Sequence, residues 1–489
     1  MGLVCDLNGR RYKRNNYFPQ YKSETSCRKS ISRHRRNKAL TSQNKKFLKS
    51  IGLKVISGGE SRVQYSFTVV MLRKMKEILN IQSGAVFDDS ISHLETHAYQ
   101  PYNNTSYNNS DEIRISIQNQ EMNLLPSQSS IRIIGQLTKK DGGKVKATEF
   151  VNNGILHMFE EMRYELNGVE IDRCKNVGIT TLLKGWPSCE RGNGLYNENT
   201  GWIADLSSIK FVDDENRFDV IIPLAMIFGF NENYRKIIVN MKHELTLIRS
   251  RNDVNAVVQT ALTAATADTA ATYEDFKITI TKIEWLMPCI TPSNHQKIRL
   301  LRTIEKNKPI QVGYRSWELH EFPSLPTSGS HVWTIKTANQ LEKPRFVIVS
   351  FQTARKNNNV KNASQFDICD LNNIKLFLNS QYYPYGNLNL DVARGQFAPI
   401  FNMFLNFQRA YYGRETEADI TKFDFIEKYP IIIIDCSQQE ESLKNTPIDV
   451  RLEFDARKNF PANTAAYCLI IHDRIIEYNP VSGEVKKIV

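Results

Sequence analysis

Apolar residues occupy every second position along much of this chain. In EIRISIQN, Ile113, Ile115 and Ile117 alternate with polar residues, and SIRIIGQL (130–137) does the same. A period of two belongs to a half-buried β-strand, whose side chains point to opposite faces in turn. MRYELNGVEID (162–172) reads as two short strands about Asn167-Gly168, because a two-residue hairpin turn needs positive φ and Asn-Gly tolerates it at both positions. FDVIIPL, IIVNMKHELTLI and FKITITKIEWLMP continue the series. So do PRFVIVSFQT (344–353), NIKLFLNSQYYP (373–384) with Asn379-Ser380 at its turn, and YPIIIID (429–435). In IDVRLEFD, Val450, Leu452 and Phe454 alternate with Arg451, Glu453 and Asp455. AAYCLIIHDRIIEYNP is expected to close the chain as a hairpin-like pair. Helical spacing is rarer: FAPIFNMFLNFQRAYY (397–412) carries Phe397, Ile400, Phe401, Phe404, Leu405 and Tyr411, and GITTLLKGW (178–186) is a shorter candidate.

The element order recurs. Each half has a strand pair turning at an Asn (Asn167, Asn379), then a helix, then an Ile-rich strand beside a proline (Pro223, Pro430). An alternating charged strand follows (around Leu245, Leu452), then a final β pair ending in Pro288 or Pro480. Turn to proline is 56 residues in one half and 51 in the other, and proline to charged strand is 22 in each. The last interval differs, 43 against 28, and the excess of 15 is close in length to AVVQTALTAATADTAAT (256–272), expected to be a loop insertion or small helix on the first unit. Two copies of one β domain follow from this recurrence. Units of this size with helix-bearing connections fit the sandwich or jelly-roll class better than a barrel. The crossing lies in 291–318, where Ile298, Leu300 and Leu301 are expected to pack a short linking helix.

Charge changes the picture at one end. RKSISRHRRNK (28–38) holds six basic side chains and a histidine in eleven positions. Residues 1–54 carry fifteen Lys and Arg against two acids, a net +13, and the remaining 435 residues a net −1. Such a block repels itself and buries little, and often serves as an arm for nucleic acid. The chain as a whole, with 41% hydrophobic and 10% aromatic residues, is globular in composition. No apolar run approaches the roughly 20 residues needed to cross a bilayer, and the N-terminus lacks a signal-peptide core. An Arg-rich, acid-poor start leaves a mitochondrial transit peptide open, although the cations cluster instead of following an amphipathic helix. The eight cysteines form no C-x-x-C, so reduced thiols and a non-secreted protein are expected.

Catalytic signatures do not assemble. KKDGGKVK (139–146) reads as a turn between strands, not a phosphate loop. His93 and His97 stand four apart, as two zinc ligands on a helix can, but a surface pair is the plainer reading. Glu165, Glu170, Glu284, Asp435 and Glu477 flank strands as the polar half of an alternation. A sandwich glycosidase would need two facing carboxylates roughly 5 to 9 Å apart, and the spacing picks out no pair. The aromatics of RSWELHEFP, HVWTIKT and QYYPYG could stack sugars or bases, and more readily fill cores and subunit contacts. No cofactor or metal is expected.

The blocks EEMRYELNGVEIDRCKNVGITTLLKGW, IPLAMIFGF, NMKHELTLIRSRND, RSWELHEFPSLP, VWTIKTANQLEKPRFVIVSFQT, LFLNSQYYPYGNLNL and IDVRLEFDARKNFPANTAAYCLIIHDRIIEYNP carry a resemblance over about residues 75–489. They resemble the double jelly-roll major capsid proteins of Polinton (Maverick) and adintovirus-type elements, in the adenovirus-like lineage, found in animal genomes and related viruses. The resemblance implies an all-β fold of two tandem jelly-roll sandwiches, with short helices in the connections. It also implies homotrimers of pseudo-sixfold outline tiling an icosahedral shell, penton and minor capsid partners, no catalytic residues, and a place in the virion after assembly in host nucleus or cytoplasm. Insertions form towers on the outer face of such proteins, and 256–272 is the candidate here. The arm departs from the pattern: family members start near the positions of Met71 or Met75, and KALTSQNKKFLKSIGLKV looks more like a small basic DNA-binding protein of such elements.

The expected division is therefore a basic, mostly disordered arm (1–70), a first jelly roll (71–290), a linker (291–315) and a second jelly roll (316–489). Viral DNA is the expected partner of Arg28, Lys29, Arg33, Arg35, Arg36, Lys38, Lys45 and Lys46, through phosphates and not sequence. RHRRNK also fits a nuclear-import signal in composition. Two other readings stay open: a β-sandwich carbohydrate-binding or glycoside-acting protein, and a sequence-independent nucleic-acid-binding protein.

Overall fold

The computed structural model describes residues 54–56, 62–64 and 90–488, apart from 103–106, 119–122, 191–197, 203–211, 264–270, 337–342, 380, 419 and 439–447. Two compact units result, 1–88 and 89–489. In the first, β1 (Lys54–Ile56) pairs antiparallel with β2 (Arg62–Gln64). The eight arm cations named above, and Met71 and Met75, lie outside the described residues.

In the second unit, the chain first runs through β3 (Ile91–Tyr99), β4 (Glu112–Ile117), β5 (Asn123–Leu124), β6 (Ser130–Thr138), β7 (Thr148–Phe150) and helix α1 (Gly154–His157). β8 (Phe159–Leu166), β9 (Val169–Lys175) and helix α2 (Val177–Ser188) follow. Next come β10 (Arg217–Pro223), helix α3 (Gly229–Asn233), β11 (His243–Arg249), β12 (Val257–Gln259) and β13 (Lys277–Pro292). Helix α4 (Asn294–Ile304) crosses to the second set. That set is β14 (Ile310–Phe322), β15 (Ser330–Ile335), β16 (Pro344–Thr353), β17 (Leu371–Leu378) and β18 (Gln381–Tyr383). Helices α5 (Ala398–Tyr412) and α6 (Lys422–Lys428), then β19 (Ile432–Asp435), β20 (Val450–Ala456), β21 (Thr464–Tyr478) and β22 (Val485–Ile488) complete it.

Every ladder is antiparallel. The first set forms two facing sheets, ordered β3-β13-β6-β10 and β4-β11-β8-β9. The second forms β14-β21-β16-β19 and β15-β20-β17-β18. Counting only the eight strands of each set that make up these orders, without β5, β7, β12 and β22, both read first-eighth-third-sixth and second-seventh-fourth-fifth. Identical strand order in two eight-stranded sandwiches is a duplicated jelly roll. Alternation places the core: Ile113, Ile115 and Ile117 on β4, and Ile131 and Ile133 on β6, are fully buried while their neighbours face out. The turns are those the sequence predicts, with φ of 49° and 78° at Asn167 and Gly168 and 54° at Asn379.

Four expectations need correction or refinement. AAYCLIIHDRIIEYNP is not a hairpin pair: it lies in one long strand, β21, paired with β14 on one side and β16 on the other. Its polar interruption is satisfied sideways, Arg345 Nε donating to Asp473 Oδ2 at 2.7 Å, so the strand continues through it. The reversal follows instead, between β21 and β22. Linking helix α4 forms but packs no residue fully, leaving Ile298 and Leu301 about half exposed (53% and 49%). In the 256–272 stretch, Val257–Gln259 is a strand paired with β7 instead of a helix, while 264–270 falls outside the described residues. Of IIVNMKHELTLI, only the part from His243 is strand.

Candidate functional site

The two rolls meet edge to edge, and a buried polar network lies along the seam between them. β9 closes one sheet of roll one and β14 closes one sheet of roll two. They are joined by Tyr314, whose hydroxyl donates to the Ile171 carbonyl at 2.7 Å, and by Ser316, whose hydroxyl donates to Asp172 Oδ1 at 2.6 Å. Asp172 Oδ2 accepts the Phe230 N–H at 3.1 Å. Burial raises the Asp172 carboxyl above its ordinary range, against the opposing pull of Arg474, Ser316 and two backbone N–H groups.

Apolar side chains cross the seam in both directions. Ile179, Leu182, Leu183 and Trp186 of α2 belong to the core of roll two. Val312, Tyr314, Ile476 and Tyr478 of roll two belong to the core of roll one. Helix α2 is buried along nearly its whole length, so its apolar residues face both rolls and form no single stripe.

A buried ion pair sits there. Lys184, on α2, is 4% exposed. Its ammonium donates to Glu232 Oε1 at 2.9 Å, Tyr412 OH at 2.8 Å and Ser188 Oγ at 3.0 Å. It also lies 4.5 Å from the Tyr411 ring centroid and 5.0 Å from that of Trp317. Glu232 in turn accepts both tyrosine hydroxyls at 2.6 Å. Burial opposes both charges, yet each holds the other: Lys184 sits above its ordinary value and Glu232 below its own. A cavity of about 290 Å³ opens beside this cluster, lined by Lys184, Gly185, Trp202, Met226 and Tyr412 among others. The three N–H donors of Lys184 are all taken by protein acceptors, so none is left for a ligand in that cavity.

The candidates for chemistry stay apart. His93 and His97 lie on strand β3, not on a helix, and each Nε2 stands 3.4 Å from a Glu95 carboxylate oxygen at an exposed edge. Among the described residues no group of three His, Cys, Asp or Glu could hold a metal ion. Glu284 pairs with Lys282 at 2.7 Å, Glu477 accepts from Gln311 at 2.7 Å, and Glu165 lies opposite Glu170 in the β8–β9 ladder. Of the aromatics, Trp317 and Trp333 are core, whereas Tyr382 and Tyr385 stack on the surface with centroids 5.6 Å apart. Sequence reasoning does not single out Lys184, Glu232 or Asp172. A lone lysine inside a largely apolar helix and an Asp in the middle of a strand are the available signals, and their partners lie far along the chain.

Two jelly rolls of one topology, fused through exchanged core residues, make this a double jelly-roll protein. The chain belongs to the double jelly roll-like domain family, whose model matches residues 148–476. Solved structures share the fold at low identity. The Sputnik virophage structure matches with a TM-score of 0.53 at 10% identity, over 93% of this chain and 94% of that one. The mavirus major capsid protein matches at 0.51 and 11% identity, over 89% and 97%. The PBCV-1 virus capsid matches at 0.50 and 11%, over 83% and 99%. No curated protein matches the sequence. Among the described residues no helix is long and apolar enough to cross a membrane.

Proposed function

We propose that this chain is a structural capsid subunit that self-assembles through trimers of pseudo-sixfold outline into an icosahedral shell, and that it belongs to the Polinton and adintovirus branch of its family. One observation carries the reading: two rolls of identical strand order are joined by a seam through which they exchange core residues, leaving their remaining sides for neighbours. The solved structures of similar fold include a virophage, a virus capsid and a major capsid protein. The chemistry of such a protein is interface burial and not turnover, so the reading assigns no catalytic residue. Penton and minor capsid proteins are its further partners, and the virion, assembled in host nucleus or cytoplasm, is its place. The division of labour follows the boundaries at 70, 290 and 315, with residues 1–70 as an arm turned toward packaged DNA. Arg28, Lys29, Arg33, Arg35, Arg36, Lys38, Lys45 and Lys46 are its phosphate contacts.

The test is light scattering and negative-stain imaging of the full chain. Trimers or shells are the expected result. A clean monomer at micromolar concentration across salt conditions overturns the proposal.

A further inference from the structure

Helix α4 is eleven residues long, and none of them is buried. An amphipathic helix on a folded body ordinarily turns its apolar stripe inward. Here only Leu300 and Ile304, four apart, are half-buried. Ile298 and Leu301, three apart and so neighbours on the helix surface, face out. The helix is held at its start, where the Ser293 N–H donates to the Ser90 carbonyl at 3.0 Å. An aliphatic pair is thus presented on a fixed element with no side chain of the chain covering it.

Cations frame that pair. Lys297 stands four residues before Leu301, and Arg302 four after Ile298, so a long basic side chain flanks each aliphatic. Arg299, Lys306 and Lys308 extend the cluster. Residues 294–308 hold five cations against one acid, Glu305, a net +4 in a body that carries −1 as a whole. Elsewhere on that body cations have acidic partners, as Arg132 has Asp219 and Arg355 has Asp367. Among the described residues none of these five has an ion-pair partner.

Exposed aliphatics ringed by unpaired cations match a surface that is anionic outside and apolar just beneath. We infer that α4 is a membrane-surface contact: it lies on an anionic bilayer, with Ile298 and Leu301 entering the acyl boundary and Lys297, Arg299 and Arg302 reaching the head-group phosphates. The basic side chains suit this geometry, because their methylene stems lie along apolar surface while the charge stays among the head groups. At about 16 Å, from 1.5 Å per residue, the helix lies on the bilayer and does not span it.

Other occupants fit less of the surface. A groove in a partner protein takes apolar anchors at i, i+3, i+4 and i+7, and α4 exposes a single i, i+3 pair. Duplex DNA would engage the cations and leave Ile298 and Leu301 without a partner. The contact belongs to the single chain, so it stands or falls independently of the capsid reading.

The test uses the full chain carrying Leu301→Trp, with Val332→Trp, on β15, as control. Both positions are exposed, so both variants should keep the thermal melt of the parent. Trp186, Trp202, Trp285, Trp317 and Trp333 are all buried, so only the introduced indole is open to a quencher in lipid. Vesicles of phosphatidylserine and phosphatidylcholine with brominated acyl chains should quench the indole at 301 and not that at 332. Brominated phosphatidylcholine alone should quench neither. Adding Lys297→Gln and Arg302→Gln should remove most of the quenching, since each Lys or Arg near an anionic leaflet is worth a factor of roughly five in binding. The basic residues 1–54 can draw the chain to anionic vesicles by charge alone, which would show as co-sedimentation without quenching. That result overturns the inference, as do no binding at all and equal quenching at both positions. An indole at 301 that responds to random-sequence duplex DNA and not to vesicles overturns it too, and places α4 on nucleic acid.

Discussion

At the scale of single residues, the seam depends on groups that are safe only when matched. Lys184 is nearly fully buried, and Glu232 supplies the charge that holds it. Removing one partner of a buried ion pair leaves the other unpaired at a cost of about 3–5 kcal/mol. Glu232→Gln should therefore lower the unfolding midpoint in urea sharply, whereas Lys184→Met with Glu232→Leu should recover much of the loss. Histidines add a pH dependence. Burial pushes His157, whose Nε2 faces Ser364 of roll two at 3.3 Å, down to about 4, and His243, whose Nδ1 faces Tyr164 OH at 2.7 Å, down to about 3. Both are neutral in the fold, while in the unfolded chain they gain protons near the ordinary 6.5. Stability from this source is intact above about pH 6.5 and falls as pH drops toward 4, by up to about 1.4 kcal/mol per pH unit for each histidine. Denaturation midpoints between pH 7 and 5 should show this slope, and His157→Gln should make it shallower by up to one proton.

At the scale of elements, close approach decides what can change. A Cβ on Gly229, the first residue of α3, would lie 1.6 Å from the Arg315 carbonyl oxygen of β14. The obstacle is backbone, so α3 and β14 would have to part. Gly229→Ala should cost at least the roughly 1–3 kcal/mol typical of overpacking, while Gly386→Ala, with nothing within 4 Å, should leave the melting temperature nearly unchanged. The strands are legible in the sequence because a half-buried strand writes its two faces as alternation, and β4, β6 and β20 do so plainly. β21 reads as a hairpin because it is buried on both faces over its first nine residues and then bears Asp473 and Arg474, so no single period runs through it. Helix α4 is legible as a helix but not in its packing, since Ile298 and Leu301 look the same in sequence whether covered or bare. The seam is illegible for a different reason. Lys184 meets Glu232 and Tyr412 at separations of 48 and 228 residues, and pairing of that kind leaves no local pattern.

At the scale of the whole molecule, charge and fold are divided along the chain. Residues after 54 are nearly neutral, and many of their cations are paired with acids, such as Arg132 with Asp219 at 2.6 Å and Arg355 with Asp367 at 2.8 Å. A body of this kind has little excess charge with which to attract a polyanion. The excess resides in residues 1–54, at +13. Each phosphate neutralised on duplex DNA releases counterions and contributes about −0.9 to the slope of log K against log salt. If the arm carries the DNA contact, the full chain should bind random-sequence duplex with a steep slope, no steeper than about −12 for thirteen net charges. Deleting residues 1–54 should abolish that binding and flatten the slope, without preference among sequences before or after, because phosphate contacts carry no base information. Replacing Arg28, Lys29, Arg33, Arg35, Arg36 and Lys38 with glutamine should give an intermediate slope, shallower by about 0.9 for each phosphate no longer neutralised. Fluorescence anisotropy across a salt series measures all three proteins. Tight, salt-steep binding by the truncated chain would place the DNA contact on the folded body and remove the arm's assigned role.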